Sequence, residues 1–329
     1  MSSLRTPHDL ITAVPFLIGF HPSNSIVIIS IKDGTLGLTM RCDLPSSITG
    51  EEVDLLAHHC IRDGADTALL IAYMPEHRSD GDHLLISIGA GLIRNGISIG
   101  ESIVISGGRY KSIICRDSTC CPESGNTLPV IEDSQIAVEH VIAGIPMPYA
   151  DISELIGTIA PDDQSREVDW LASVAAFEIS DSDSELPALR RDGVEAMELL
   201  LDEFRIGRGA TDQALVARVL GRLSHVHVRD YALGAFTEDT YDLTFAMWRE
   251  LLRVAPTGFI APVASLVAAM SYEGGDGALA QRALDRALDD DPDYPLALLL
   301  RRVFNAGWPP ESFSAMRAEL HPKILATIF

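Results

Sequence analysis

A chain of 329 residues that is 47% hydrophobic and 22% charged is long enough for two domains and apolar enough to bury a core in each. Its 47 acidic and 25 basic side chains give a formal net charge of -22, which argues against nucleic acid as a partner, because phosphate-backbone binding needs a broad basic surface. The most apolar runs, 26–31 and 84–93, are too short to cross a bilayer, no charged leader precedes an apolar run, and five cysteines are too sparse for a disulfide framework; the expectation is a cytoplasmic protein with resting thiols and no membrane association.

Thr6, Pro7 and Asp9 mark a helix start: a hydroxyl cap, a proline at the first helical position, and an acid three residues after the cap to return the bond. Leu10, Ile11, Val14 and Leu17 share one face, Pro15 is expected to bend or end the helix, and Gly19 to stop it. His21-Pro22-Ser23-Asn24 is a turn, 26–31 a buried β-branched strand, Lys32-Asp33-Gly34 a hairpin signal and 36–42 the partner strand. Thr49 or Gly50 opens a helix to about Arg62, with Val53, Leu55, Leu56, Ala57 and Cys60 supplying its apolar surface. A second buried strand spans 67–73, Asp82 can cap a helix to about Arg94, and 98–105 with 109–115 form a hairpin around Ser106-Gly107-Gly108. Strands alternating with helices predict a mixed sheet with helices against it.

After Gly125 the strand signal disappears and the period becomes helical. Pro161-Asp162-Asp163 and 181–185 are the most linker-like breaks; Asp181-x-Asp183-x-Glu185 starts like a calcium loop, but Leu186 stands where that loop needs glycine. Counted back from Pro292, small or apolar residues (Val267, Ala268, Ala280, Leu284, Ala287) fall at the spacing of a tetratricopeptide-type hairpin over about 259–307, turned by Gly274-Gly275-Asp276-Gly277. The division expected is an α/β domain over 1–130 that ends in a cysteine-rich loop, then a helical region over 131–329.

Chemistry is suggested chiefly by Cys115, Cys120 and Cys121, three of the five thiols, in one short loop closed by Pro122 and Gly125. Three thiols with a histidine or water as fourth ligand would hold zinc; Cys115 paired with Cys120 or Cys121 would be a redox couple, with Arg109 and Arg116 as neighbours able to lower a thiol pKa; buried packing thiols in a rigid turn are the plainest alternative. His21, Ser25, Arg41 and Asp43 lie at strand ends, where α/β sheets tend to bind ligands, but no Gly-x-Ser-x-Gly elbow accompanies Ser25. His58-His59-Cys60 cannot all face one ion on a helix, and Gly89 and Gly91 sit inside a helix, where they suit close packing better than phosphate. Asp289-Asp290-Asp291 reads as a solvated helix end that leaves room for a basic partner surface.

Thr6-Pro7-His8-Asp9-Leu10, Gly19-Phe20-His21-Pro22-x-x-Ser25, Arg41-Cys42-Asp43-Leu44-Pro45, the Cys-x4-Cys-Cys-Pro-x-x-Gly loop, and Gly275-Asp276-Gly277 through Asp291-Pro292-Asp293-Tyr294 together resemble a bacterial family filed as a domain of unknown function in actinobacteria. The resemblance covers nearly the whole chain and implies an actinobacterial cytoplasmic protein without assigning a reaction. The leading expectation is a non-catalytic interaction or scaffold protein whose helical region binds a protein partner. An enzyme or small-ligand-binding protein using a cleft near His21, Arg41 and Asp43 is the first alternative, and a thiol or zinc sensor through the cysteine loop the second.

Overall fold

The computed structural model of the protein describes residues 6–162, 166–181 and 185–329; Asp163 of the first break and Asp183 of the calcium-like run lie outside them. The chain divides into two compact units, Met1–Glu154 and Leu155–Phe329. The division falls beyond residue 130 because the chain after the sheet returns to its own beginning. Phe20 and Tyr149 form a parallel bridge, with the His21 N–H on the Tyr149 carbonyl at 3.0 Å and the Tyr149 N–H on the Gly19 carbonyl at 2.9 Å.

The first unit runs α1 (Pro7–Ile18), β1 (Ser25–Lys32), β2 (Thr35–Asp43), α2 (Gly50–Asp63), β3 (Thr67–Tyr73), α3 (Gly81–Arg94), β4 (Ser98–Ser106), β5 (Arg109–Ser112), β6 (Asn126–Thr127) and α4 (Gln135–Ala143). The strands form one sheet in the order β2-β1-β3-β4-β5-β6, parallel only between β3 and β4. This is the mixed sheet with helices that the alternation predicts. Ile26, Ile28, Leu70 and Ala72 pack with Val53, Ala57 and Cys60 of α2 and Leu85, Ile88 and Leu92 of α3. Val27, Ile29 and Ile71 pack on the other side with Leu10, Ile11 and Val14 of α1. A strand covered on both faces needs a nearly continuous apolar run, which 26–31 supplies with one break at Ser30, whose hydroxyl donates to Asp63. Gly91 lets α2 and α3 approach closely, since a Cβ there would run into Val53.

Both threonine caps form. Thr6 exchanges bonds with Asp9, and Thr49 with Glu52. Two local expectations fail and a third holds in part. Helix α1 passes through Pro15 and ends at Gly19, φ +82; Pro15 is buried with Leu10, Ile11 and Val14, and this packing offsets the one lost backbone bond. Helix α3 begins at Gly81, with no side-chain bond at its N-cap, because Asp80 is held by Arg78 at 2.9 Å and Asp82 by Lys111 at 2.8 Å. Leu55 is exposed, since the buried stripe of α2 is Val53, Ala57 and Cys60. At the end of α2, the Asp63 carboxylate reaches past Gly37 to accept from the Ser30 hydroxyl and, at 2.9 Å, from the Leu38 N–H.

Helix α5 (Ile152–Gly157) straddles the division. The second unit continues with α6 (Arg166–Asp181), α7 (Leu186–Arg205), α8 (Gln213–Arg222), α9 (Val226–Gly234), α10 (Tyr241–Val254), α11 (Ile260–Glu273), α12 (Gly277–Asp290), α13 (Pro295–Asn305) and α14 (Pro310–Ile328). It is the all-helical region expected. Helix α11 is buried continuously from Ala261 to Ser271, so it forms the centre of the unit. It pairs with α12 as a hairpin whose turn residue Asp276 accepts the Leu279 N–H at 2.9 Å. The acidic end of α12 is not simply solvated. The Asp290 carboxylate accepts the N–H groups of Gly258, Ile260 and Ala261 at 2.7, 3.0 and 3.0 Å, so it caps the start of α11, where a negative charge is favoured.

Candidate metal centre

The strand-end residues take their positions from the register. Ser25 is the partner of Asp43 on β2 and of Tyr73 on β3, and Arg41 is the partner of Val27. Arg41 pairs with Asp43 at 2.6 Å and lies over the Phe20 ring at 5.9 Å. Ser25 is fully buried, and its hydroxyl has no hydrogen-bond partner among the described residues. Asp43 is exposed, and His21 is half-buried in the preceding turn with its N–H on Tyr149. The sheet thus brings Ser25, Arg41 and Asp43 to one end, yet no hydrogen bond joins the Ser25 hydroxyl to His21, so the pairing that nucleophilic catalysis needs is not formed. Tyr73 ends β3 on the same face, its buried hydroxyl also without a partner and its pKa raised by burial. Sequence reasoning missed it because Tyr73 looks like an ordinary strand residue.

The second candidate group converges further. Strand β5 stops at Ser112, so Cys115 is not a buried strand residue but the first thiol of a loop. The Ser112 hydroxyl donates to Glu101 at 2.6 Å and accepts the Cys115 N–H at 3.1 Å. Asp117 accepts the N–H of Thr119 on its carboxylate at 2.8 Å and that of Cys121 on its carbonyl at 2.7 Å. The Asn126 amide donates to the Cys120 carbonyl at 2.9 Å. Arg109 donates to the carbonyls of Ser124 and Gly125, each at 2.7 Å, so its contacts there are to backbone oxygen. Gly125 turns at φ +73, and β6 then pairs with β5. The backbone around each cysteine is therefore tied down by Glu101, Ser112, Arg109 and Asn126. Of these the sequence marks only Arg109, and for another role, since Glu101, Ser112 and Asn126 act through the fold.

The three sulfur atoms lie within 4.8 Å of one another, and those of the adjacent Cys120 and Cys121 are 4.0 Å apart. Sulfurs that share one tetrahedral zinc at the usual bond length are about 3.8 Å apart, so small side-chain rotations close the set on an ion. Cys120 is exposed and Cys115 and Cys121 half-buried, which leaves the site reachable. No fourth histidine, cysteine, aspartate or glutamate among the described residues joins the group. The Cys121 thiol is pushed up to about 11, by burial first, with its Cys115 and Cys120 neighbours adding to the rise. All five cysteines are free thiols. Cys60 points into the core, raised to about 11 by burial and by Asp63, while His58 on the same helix is exposed; the His58-His59-Cys60 run makes no site.

A family profile described as "Domain of unknown function (DUF4192)" matches residues 7–311. No curated protein and no solved structure matches the chain. No described helix is long and apolar enough to cross a membrane.

Proposed function

We propose, from the premise that this chain belongs to the DUF4192 family, that it is a metal-responsive protein that holds zinc on Cys115, Cys120 and Cys121. The observation that carries the reading is the convergence of three sulfurs within 4.8 Å on an accessible loop. Thiolates are soft ligands and select zinc and other thiophilic ions over magnesium or calcium. The hydrogen bonds that fix the loop supply the outer support that metal ligands need to hold their geometry. A water or an incoming ligand completes four-coordination, so the ion is exchangeable rather than sealed in, as suits a sensor. The reading carries with it a reducing, cytoplasmic setting, in which free cysteines stay thiols, and the actinobacterial distribution that the motifs imply.

The partner-binding reading of the helical unit has in its support Trp170 and Val174, one turn apart on α6 with exposures of 69% and 37%. It ranks lower because an apolar stripe does not say what covers it.

The test is metal analysis and cobalt substitution of the purified full chain. One bound zinc per chain is expected, and one cobalt should give the intense sulfur-to-metal charge-transfer band. Cys115→Ser, Cys120→Ser and Cys121→Ser should each weaken binding, whereas Cys42→Ser should not. A protein that binds neither ion, or that binds equally in all four variants, removes the proposal.

A further inference from the structure

We infer that the same three thiols take up trivalent arsenic, and that this ion displaces zinc from them. The inference rests on the loop being a metal seat and adds the class of ion to which it responds. Its basis is the number of ligands. The cluster offers three sulfurs, with no fourth His, Cys, Asp or Glu among the described residues to complete it. Zinc in a closed structural site wants four ligands, so here it must borrow one. Arsenic(III) wants three. Its valence shell holds a non-bonding electron pair, so it sits as the apex of a pyramid over a triangle of thiolates, and it is strongly thiophilic.

The geometry suits a pyramid. Cys120 and Cys121 are adjacent in the chain with sulfurs 4.0 Å apart, and Cys115 closes the triangle from the other arm of the loop. The arms are fixed independently. Cys115 is held through Ser112 and Glu101, and the Cys120–Cys121 turn through Asp117 and Asn126. An ion that needs three sulfurs therefore meets a nearly assembled set instead of having to gather one from a mobile chain, which lowers the ordering cost of binding. Exposure of Cys120 gives the oxide a first point of attack.

The chemistry balances without a change of oxidation state. Arsenous acid, As(OH)3, exchanges its three hydroxyl groups for three sulfurs. Each As–O bond breaks as an As–S bond forms, and each hydroxyl leaves as water with the proton of the thiol it replaces. If zinc occupies the site first, arsenous acid releases zinc and three hydroxide ions, and charge is conserved.

The experiment adds arsenite to the zinc-loaded full chain, with a chromophoric chelator reporting free zinc, thiol counting reporting the cysteines, and native mass spectrometry reporting the adduct. Expected are stoichiometric zinc release, loss of three titratable thiols, and a mass gain of one arsenic less three hydrogens. Cys115→Ser should retain only a two-sulfur adduct and lose affinity by more than the roughly hundredfold that disturbing the outer support of a ligand costs a metal site. Circular dichroism of each variant separates loss of binding from loss of fold, and titration of the unsubstituted chain tests the stoichiometry without any variant. Zinc retained at saturating arsenite overturns this inference and leaves the zinc reading intact. Arsenite on all three thiols of a chain that never binds zinc removes the zinc reading and leaves a metalloid site. Equal arsenite affinity in Cys115→Ser and the unsubstituted chain shows that a vicinal pair is sufficient and overturns the three-thiol site.

Discussion

Gly125 shows how far one residue controls the candidate site. It turns the chain at φ +73, and a Cβ built there would lie 2.9 Å from the carbonyl oxygen of Tyr110. Two penalties act together in Gly125→Ala. The left-handed backbone costs an L-residue about 1–2 kcal/mol, and the clash pushes β6 off β5. Gly144 has a similar φ of +69 but nothing within 4 Å of its Cβ position, so Gly144→Ala carries the backbone penalty alone. Urea unfolding should show the larger loss for Gly125→Ala, about 1 kcal/mol or more beyond the Gly144→Ala value. Cobalt affinity should fall only in Gly125→Ala, although every thiol is still present. Equal losses in the two variants would mean that β6 does not hold the loop.

At the scale of the element, the helical unit depends on α8. Arg222, its last residue, is 6% exposed at the side chain and donates to Glu178 and the Ala175 carbonyl on α6 and to Asp192 on α7. Burial pushes the Asp192 carboxyl up, but Arg218 and Arg222 outweigh it and hold its pKa below the usual range. Arg222→Ala leaves Asp192 with Arg218 alone and the Ala175 carbonyl without its donor, and a loss of about 1–2 kcal/mol is expected from the lost hydrogen bonds, read as a drop in the urea midpoint. Arg222→Met keeps the apolar stem packed and should lose less; an equal loss in both would make packing irrelevant. Contacts of this kind, which link residues far apart in the chain, are what sequence periodicity cannot express. Thr67–Tyr73 was legible because a strand covered on both faces is apolar throughout, and the Thr6 and Thr49 caps because their chemistry is local. Strand β6 was not legible: Asn126 and Thr127 have no strand pattern and pair only because Gly125 points them back along β5. The cysteines were visible as a cluster in sequence, but the spacing of their sulfurs depends on Ser112, Glu101 and Asn126, which nothing nearby in the sequence marks. Ser25 opens β1, Asp43 closes β2 and Arg41 lies two residues inside, yet the Ser25 side chain is buried and Asp43 exposed.

At the scale of the molecule, the first unit has its sheet core and the second its own buried residues around α11, and the cysteine loop with all its supports belongs to the first. A fragment of residues 1–150, which keeps the Phe20–Tyr149 bridge, should therefore unfold cooperatively and give the same cobalt spectrum as the full chain. A fragment that folds but binds no cobalt would show that the helical unit contributes to the centre. The sheet itself has two terminal strands, and a terminal strand presents unpaired backbone groups on which another chain could extend the sheet. Strand β6, at two residues, is too short to serve as a template. Strand β2 has nine residues and is long enough. The carboxylate of Asp63 stands where a Gly37 side chain would project and accepts the Leu38 N–H and the Ser30 hydroxyl, at the point where the β1–β2 register shifts, between Ile29 and Ile31. A bulge bends a strand and is one way in which natural sheets blunt an edge, so the longer terminal strand carries its own irregularity, held by one acidic side chain of α2.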